Sequence, residues 1–153
     1  HNGLIGVQSR PGMGSRFSVF LPIKEMESVK IYPSILCVDY DAKFLKEIKT
    51  HFVDAKTWMT RPHDRPEDII VYLEDHPEVD FLIAEIKQPG MDGWTLFERI
   101  RKRFPLLCVI LYSCDDKALQ IPQDTLQTDY LLKKPFQFNE LQKIIHEIGR
   151  QRL

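Results

Sequence analysis

The stretch that decides the fold is FLIAEIKQPGMDGW, residues 81–94. An apolar run ends on a carboxylate, Glu85, and a Pro-Gly pair follows before Asp92 opens a helix near Gly93. A short, nearly continuous apolar run suits a central strand covered on both faces, and an aspartate just ahead of a helical pattern suits an N-cap. With Asp80 included this strand spans 80–85, and four similar runs surround it: ILCVD (35–39), AKTWMT (55–60), LCVILY (107–112) and DYLLK (129–133). Helical patterns lie between and after them. Leu45, Ile48 and Phe52 form one apolar face, as do Phe97, Ile100 and Phe104, and then Phe138, Leu141, Ile145 and Ile148, each at the three-and-four spacing of an amphipathic helix. Asp64, three places before Glu67 and with Pro66 in the first turn, marks a further helix start. The alternation implies parallel strands joined by crossover helices. One segment is weaker: DDKALQIPQDTL (115–126) carries Pro122 in its middle, so a short or broken helix is expected there.

Ahead of this domain, GLIGVQS (3–9) and SRFSVFLPI (15–23) alternate in the manner of strands around a turn rich in Pro and Gly, with Gly12 and Gly14 as turn residues. The organisation predicted is a β-hairpin appendage over 1–23, a polar linker over 24–33 and the main domain over 34–150. A hairpin alone is marginal in water, so this piece reads as the end of something larger.

The chain has 153 residues, 43% of them hydrophobic, and a formal charge of -1. That supports one real core and gives no basic excess to suggest a nucleic acid or an anionic membrane surface as partner. No apolar run reaches the roughly 20 residues of a membrane span, and no charged-then-apolar leader is present; a soluble, cytoplasmic protein is expected. Cys37 and Cys108 sit inside apolar runs as small buried thiols, in keeping with a reducing compartment. His1, His51, His63, His76 and His146 are scattered without a paired helical spacing and read as surface residues. Neither they nor the cysteines make a hydrolase-like constellation.

In an open parallel sheet, sites form beyond the carboxyl ends of the strands. The residues there are Asp39 and Tyr40, Glu85, Ser113, and Lys134 followed by Pro135. Taken in order and spacing, ILCVDYD, FLIAEIKQPGMDG, VILYS and YLLKKPF resemble the motifs of a response-regulator receiver domain over residues 34 to 150. The resemblance implies a flavodoxin-like α/β fold, a doubly wound five-stranded parallel sheet of order 2-1-3-4-5. The segment HNGLIGVQSRPGMGSRFSVFLPI likewise looks like the last hairpin of a histidine-kinase ATPase domain, with Ser15 at a small hydroxyl position near the adenine pocket. A kinase end joined to a receiver is the order of a hybrid sensor kinase. The parent would then be a protein-histidine kinase, while this chain lacks the parts that hold ATP and is not itself an enzyme.

Family chemistry carries over with gaps. Asp39 matches the first of two adjacent magnesium-binding acids, but Tyr40 stands at the second, and Glu85 stands at the phosphoacceptor aspartate. Ser113 matches the hydroxyl that contacts the phosphoryl group and Lys134 the lysine that balances its charge; the Lys134–Pro135 bond is cis in the family. The aromatic switch position falls on Leu131, with Tyr130 one place before it; either a local shift restores the switch or the usual aromatic is missing.

Magnesium demands a near-ideal octahedron of oxygens, so a phenol in place of a carboxylate removes a charged ligand. Glutamate adds a methylene and moves its carboxylate outward by up to about 1.5 Å. Misplacement by about 1 Å can cost on the order of a hundredfold in rate. The expectation is weak or absent magnesium, no cofactor, and very slow or no phosphotransfer to Glu85. Asp41 and Asp92 are helix-start residues rather than substitute acceptors. The leading expectation is a degenerate receiver acting as a regulatory, protein-binding module through its last helix. Its partners would be parent kinase domains, another receiver, a phosphotransfer protein or a second copy. Two other readings stand beside it: an active phosphoacceptor with an unusual site, and a structural support for the parent's ATPase domain. If Glu85 reaches Lys134, the pair would either lock an active-like state or simply stabilise the pocket.

Overall fold

The computed structural model describes residues 4–10, 14–20, 33–53, 55–122 and 129–152, with side chains described over 33–53, 55–122 and 129–148. The chain forms two compact units, His1–Ile31 and Tyr32–Leu153. In the first, β1 (Leu4–Arg10) and β2 (Gly14–Phe20) pair antiparallel, Leu4 opposite Phe20 and Arg10 opposite Gly14. Gly14 therefore belongs to a strand rather than to the turn; Gly12, and most of the linker expected over 24–33, lie outside the described residues.

The second unit is built on five parallel strands: β3 (Ile35–Asp39), β4 (Ala55–Met59), β5 (Phe81–Glu85), β8 (Cys108–Ser113) and β9 (Tyr130–Lys133). Their lateral order is β4-β3-β5-β8-β9, which is 2-1-3-4-5 counted within this unit. Between them run α1 (Ala42–His51), α2 (Pro66–Asp75) and α3 (Gly93–Arg103), with α4 (Phe138–Arg152) after the last strand. A small antiparallel ladder of β6 (Lys87–Gln88) and β7 (Met91–Asp92) shapes the loop after β5.

Alternation along the strands divides the core in two. Leu36, Val38, Leu82, Ala84, Val109 and Leu111 pack with Ile69 and Leu73 of α2 and with Leu96, Phe97 and Ile100 of α3. On the opposite face Ile35, Cys37, Phe81, Ile83, Cys108 and Ile110 pack with Leu45 and Ile48 of α1 and Leu141, Ile145 and Ile148 of α4. This double cover explains why β3, β5 and β8 are buried along their whole length.

Helix starts follow side-chain capping. Asp41 accepts hydrogen bonds from Lys43 N and Phe44 N, and Asp92 accepts one from Thr95 N. The start of α2 differs from the Asp64 expectation: Arg65 is the N-cap, its N–H donates to the Asp68 carboxylate, and Pro66 opens the helix. Asp64 is drawn backwards instead, its carboxylate accepting from Arg61 N at 2.7 Å. The segment between β8 and β9 holds turns over Asp116–Leu119 and no helix among the described residues. Pro122 lacks the N–H a continuing helix would need; residues 123–128 lie outside the description.

Two glycines fix the loop after β5. Gly90 sits at φ +71°, and a Cβ there would lie 2.3 Å from the Pro62 carbonyl oxygen. At Gly93 a Cβ would lie 2.6 Å from Ile86 Cα and 3.0 Å from Glu85 O, so α3 starts hard against the end of β5.

Candidate functional site

The carboxyl edge of the sheet gathers four polar side chains. Asp39 is the last residue of β3 and Glu85 the last of β5. By the two-residue period of their strands, both project to the face shared with α1 and α4. Tyr112 of β8 does the same, two places beyond Ile110, and its register partner on β5 is Glu85. Lys134 follows β9 and reaches back across the edge.

Asp39, Glu85 and Ser113 are all buried, at 0%, 2% and 0% exposure. Lys134 Nζ lies 3.0 Å from Asp39 Oδ2 and 3.5 Å from Glu85 Oε2, so one ammonium bridges both carboxylates. The Phe44 ring, 4.0 Å from that nitrogen, and the Tyr112 ring, 4.5 Å from it, close the remaining apolar sides. Aromatic faces attract a partly desolvated cation. Asp39 Oδ2 also accepts the Tyr112 hydroxyl at 2.6 Å, and Oδ1 accepts Asp41 N at 2.9 Å. Glu85 Oε1 accepts Lys87 N at 3.2 Å. Each of the four carboxylate oxygens thus already faces a donor within the chain.

Burial acts on the hydroxyl and thiol groups beside this network. Burial, reinforced by Cys37, Asp39 and Glu85, holds the Tyr112 hydroxyl well above the ordinary 10.0, so it remains a neutral donor. Beneath it the Cys37 thiol is pushed from 9.0 up to about 12, first by burial and then by Asp39. Tyr40 is half exposed, and its hydroxyl is raised by partial burial and by the nearby Glu85 and Asp39 charges.

The other residues singled out from sequence fall around this cluster. Ser113 closes β8 with its Oγ accepting Asp115 N at 3.3 Å, and its carbonyl accepts Lys134 N at 2.9 Å. The Lys134–Pro135 bond is cis. Tyr40 lines a shallow open depression with Ile86, Gln88, Pro89 and Met91. Tyr130 is partly exposed at the start of β9 and Leu131 is half-buried against the α2/α3 side of the core. Asp41 and Asp92 are occupied as helix caps. Two histidines are more than surface decoration: His51 stacks on Phe138 at 4.3 Å and His76 on Tyr72 at 4.0 Å.

Tyr112 and Phe44 are the functional-site residues that sequence reasoning passed over. Their signal was positional: Tyr112 shares a strand face with the apolar Ile110 and so reads as core, until the register sets it opposite Glu85.

This donor set does not fit a magnesium ion. Among the described residues no group of three or more His, Cys, Asp or Glu side chains is placed to hold a metal. Beside Asp39 the chain offers the phenol of Tyr40, and an ammonium sits between the Asp39 and Glu85 carboxylates.

Residues 35–146 match the response regulator receiver domain family. Among curated proteins the chain is similar to the transcriptional activator protein IrlR of Burkholderia pseudomallei (strain 1026b), 34% identical over 74 residues, which is 48% of this chain and 32% of that protein. The chain therefore spans less than half the length of that relative. Among solved structures, a signal receiver domain of an HD domain-containing protein from Pseudomonas fluorescens Pf-5 matches with TM-score 0.63 at 25% identity, covering 78% of this chain and 97% of that one. A two-component response regulator from Clostridium difficile matches with TM-score 0.64 at 20% identity, over 78% and 98% of the two chains, a likeness of fold.

Proposed function

The chain belongs to the response regulator receiver family, and on that premise we propose that it is a receiver that has given up phosphoryl transfer and works in two-component signalling as a regulatory, protein-binding module. The observation that carries this reading is Lys134 held between Asp39 and Glu85, at 3.0 and 3.5 Å. The Lys134 charge is met here by two carboxylates of the chain itself. Glutamate is a poor copy of that group, which carries about -1.5 to -2 charge and three acceptor oxygens. The Glu85–Lys134 pair therefore stabilises one pocket state rather than imitating phosphorylation. Magnesium binding is weak or absent on the same reasoning.

Residues 1–23 are read as the closing hairpin of a histidine-kinase ATPase domain, 24–33 as a linker and 34–150 as the receiver, the arrangement of a hybrid sensor kinase. The partner is a protein: a domain of the parent kinase, a phosphotransfer protein, another receiver or a second copy. Its contact surface is the exposed side of α4, where Asn139, Glu140, Lys143 and Glu147 face outward. A second reading, an active phosphoacceptor with an unusual site, draws on Ser113 and Lys134 being retained at their strand ends.

The test is the amide spectrum of the native chain titrated with magnesium and beryllofluoride, a phosphoryl mimic. The proposal expects unmoved resonances at Asp39, Glu85, Ser113 and Lys134; saturable shifts there would move the phosphoacceptor reading to first place.

A further inference from the structure

We propose that Tyr112 is a third determinant of the closed pocket, a positioning residue whose hydroxyl, together with Lys134, withholds Asp39 Oδ2 from a metal ion, so that aspartates at positions 40 and 85 alone rebuild only a weak metal site. The inference rests on the reading of the chain as a receiver without phosphoryl chemistry, and concerns a residue to which that reading assigned no role.

The geometry behind it is local. The hydroxyl donates to Oδ2 at 2.6 Å, a short bond to a charged acceptor. Oδ2 is also the oxygen that Lys134 takes, at 3.0 Å, so two donors converge on one atom. The ring cannot swing away at low cost, because Tyr112 is fully buried, with Phe44 at 5.2 Å and Phe136 at 5.6 Å between centroids. The same ring lies 4.5 Å from Lys134 Nζ and helps keep the ammonium over Asp39. Tyr40→Asp would return the missing carboxylate and Glu85→Asp would shorten the other, yet Asp39 would still face inward, held by Tyr112 and Lys134. A hydrated magnesium ion needs carboxylate oxygens with lone pairs available, directly or through water.

The experiment compares magnesium affinity, by isothermal titration calorimetry with magnesium chloride alone, in the full chain carrying Tyr40→Asp and Glu85→Asp, and in the same chain with Tyr112→Phe added. Tyr112→Phe keeps the ring in its aromatic packing and deletes one oxygen, so the fold is retained; Tyr112→Leu, which removes ring and hydroxyl together, serves as the second variant. The expected result is weak binding by the double variant and an affinity higher by about tenfold to a hundredfold once the hydroxyl is gone, the range of one hydrogen bond to a charged group. Equal affinity in the double and triple variants would overturn the proposal, as would no binding by either. Those outcomes leave the reading of the native chain standing, whereas magnesium binding by the native chain would remove that reading itself.

Discussion

Replacing Lys134 with methionine should cost far more stability than replacing Glu85 with glutamine, although the two side chains form one ion pair. The reasoning starts from charge count. Two buried carboxylates, Asp39 and Glu85, share one ammonium at 3.0 and 3.5 Å. At an effective dielectric of about 20 each contact is worth roughly 5 kcal/mol before desolvation is counted. Lys134→Met keeps much of the stem that packs against Phe44 and Tyr112 but strands both carboxylates, and breaking a buried pair in this way costs about 3–5 kcal/mol. Glu85→Gln removes the surplus negative charge, leaves Lys134 with Asp39, and keeps an oxygen to accept Lys87 N; its expected cost is about 1 kcal/mol or less, the net worth of an ordinary hydrogen bond. In the double variant one stranded carboxylate has been neutralised, so the loss should be smaller than the sum by about 1–3 kcal/mol. Urea denaturation of the four proteins at pH 7 measures each term. A Lys134→Met cost below that of Glu85→Gln, or strictly additive losses, would refute the bridged-pocket account.

Further outcomes follow from the same packing. Gly90→Ala should destabilise by roughly 2–3 kcal/mol, combining the left-handed backbone penalty with the clash on the Pro62 carbonyl; a thermal midpoint equal to that of the native chain would contradict the geometry. Alkaline pH should unfold the protein early. Cys37 and Tyr112 both have folded pKa values raised by burial, from 9.0 to about 12 and well above 10.0 respectively. Their contribution is fully present below those ordinary values and is lost as pH rises through the folded ones, at about 1.4 kcal/mol per pH unit for each group. Urea midpoints between pH 7 and 11 should therefore fall beyond pH 9, and Tyr112→Phe should lessen the part of the slope that begins near pH 10; midpoints that stay level to pH 11 would sink the argument.

The hydrophobic period made the fold readable. ILCVD and FLIAE are strands because parallel central strands are covered twice, and the helix faces at Leu45/Ile48, Phe97/Ile100 and Leu141/Ile145/Ile148 are the ones the sheet buries. Caps were readable where one aspartate had one set of amides to satisfy, as at Asp41 and Asp92. Asp64 misled because Arg61 N competes for its carboxylate, leaving Arg65 and Asp68 to open α2. The segment after β8 was readable as broken from Pro122, and over 115–122 it forms turns where a short helix was expected. At the site, Asp39, Glu85, Ser113 and Lys134 were visible as strand-end residues. What sequence did not reveal was their wiring. Asp39 and Lys134 are 95 positions apart, and the aromatic cap contributed by Phe44 and Tyr112 exists only once α1 and β8 are brought together. Likewise His51 meets Phe138 through tertiary packing, whereas His76 and Tyr72, four apart, were already neighbours by helical spacing.

The central claim is that the pocket's two carboxylates and its lysine are paired within the chain and that the pocket does not accept a phosphoryl group. The most direct measurement is the intact mass of the native chain after incubation with acetyl phosphate and magnesium, read promptly to preserve an acyl phosphate. The account predicts an unmodified mass under conditions that phosphorylate an ordinary receiver run in parallel; a single phosphoryl adduct lost on Glu85→Gln would contradict it.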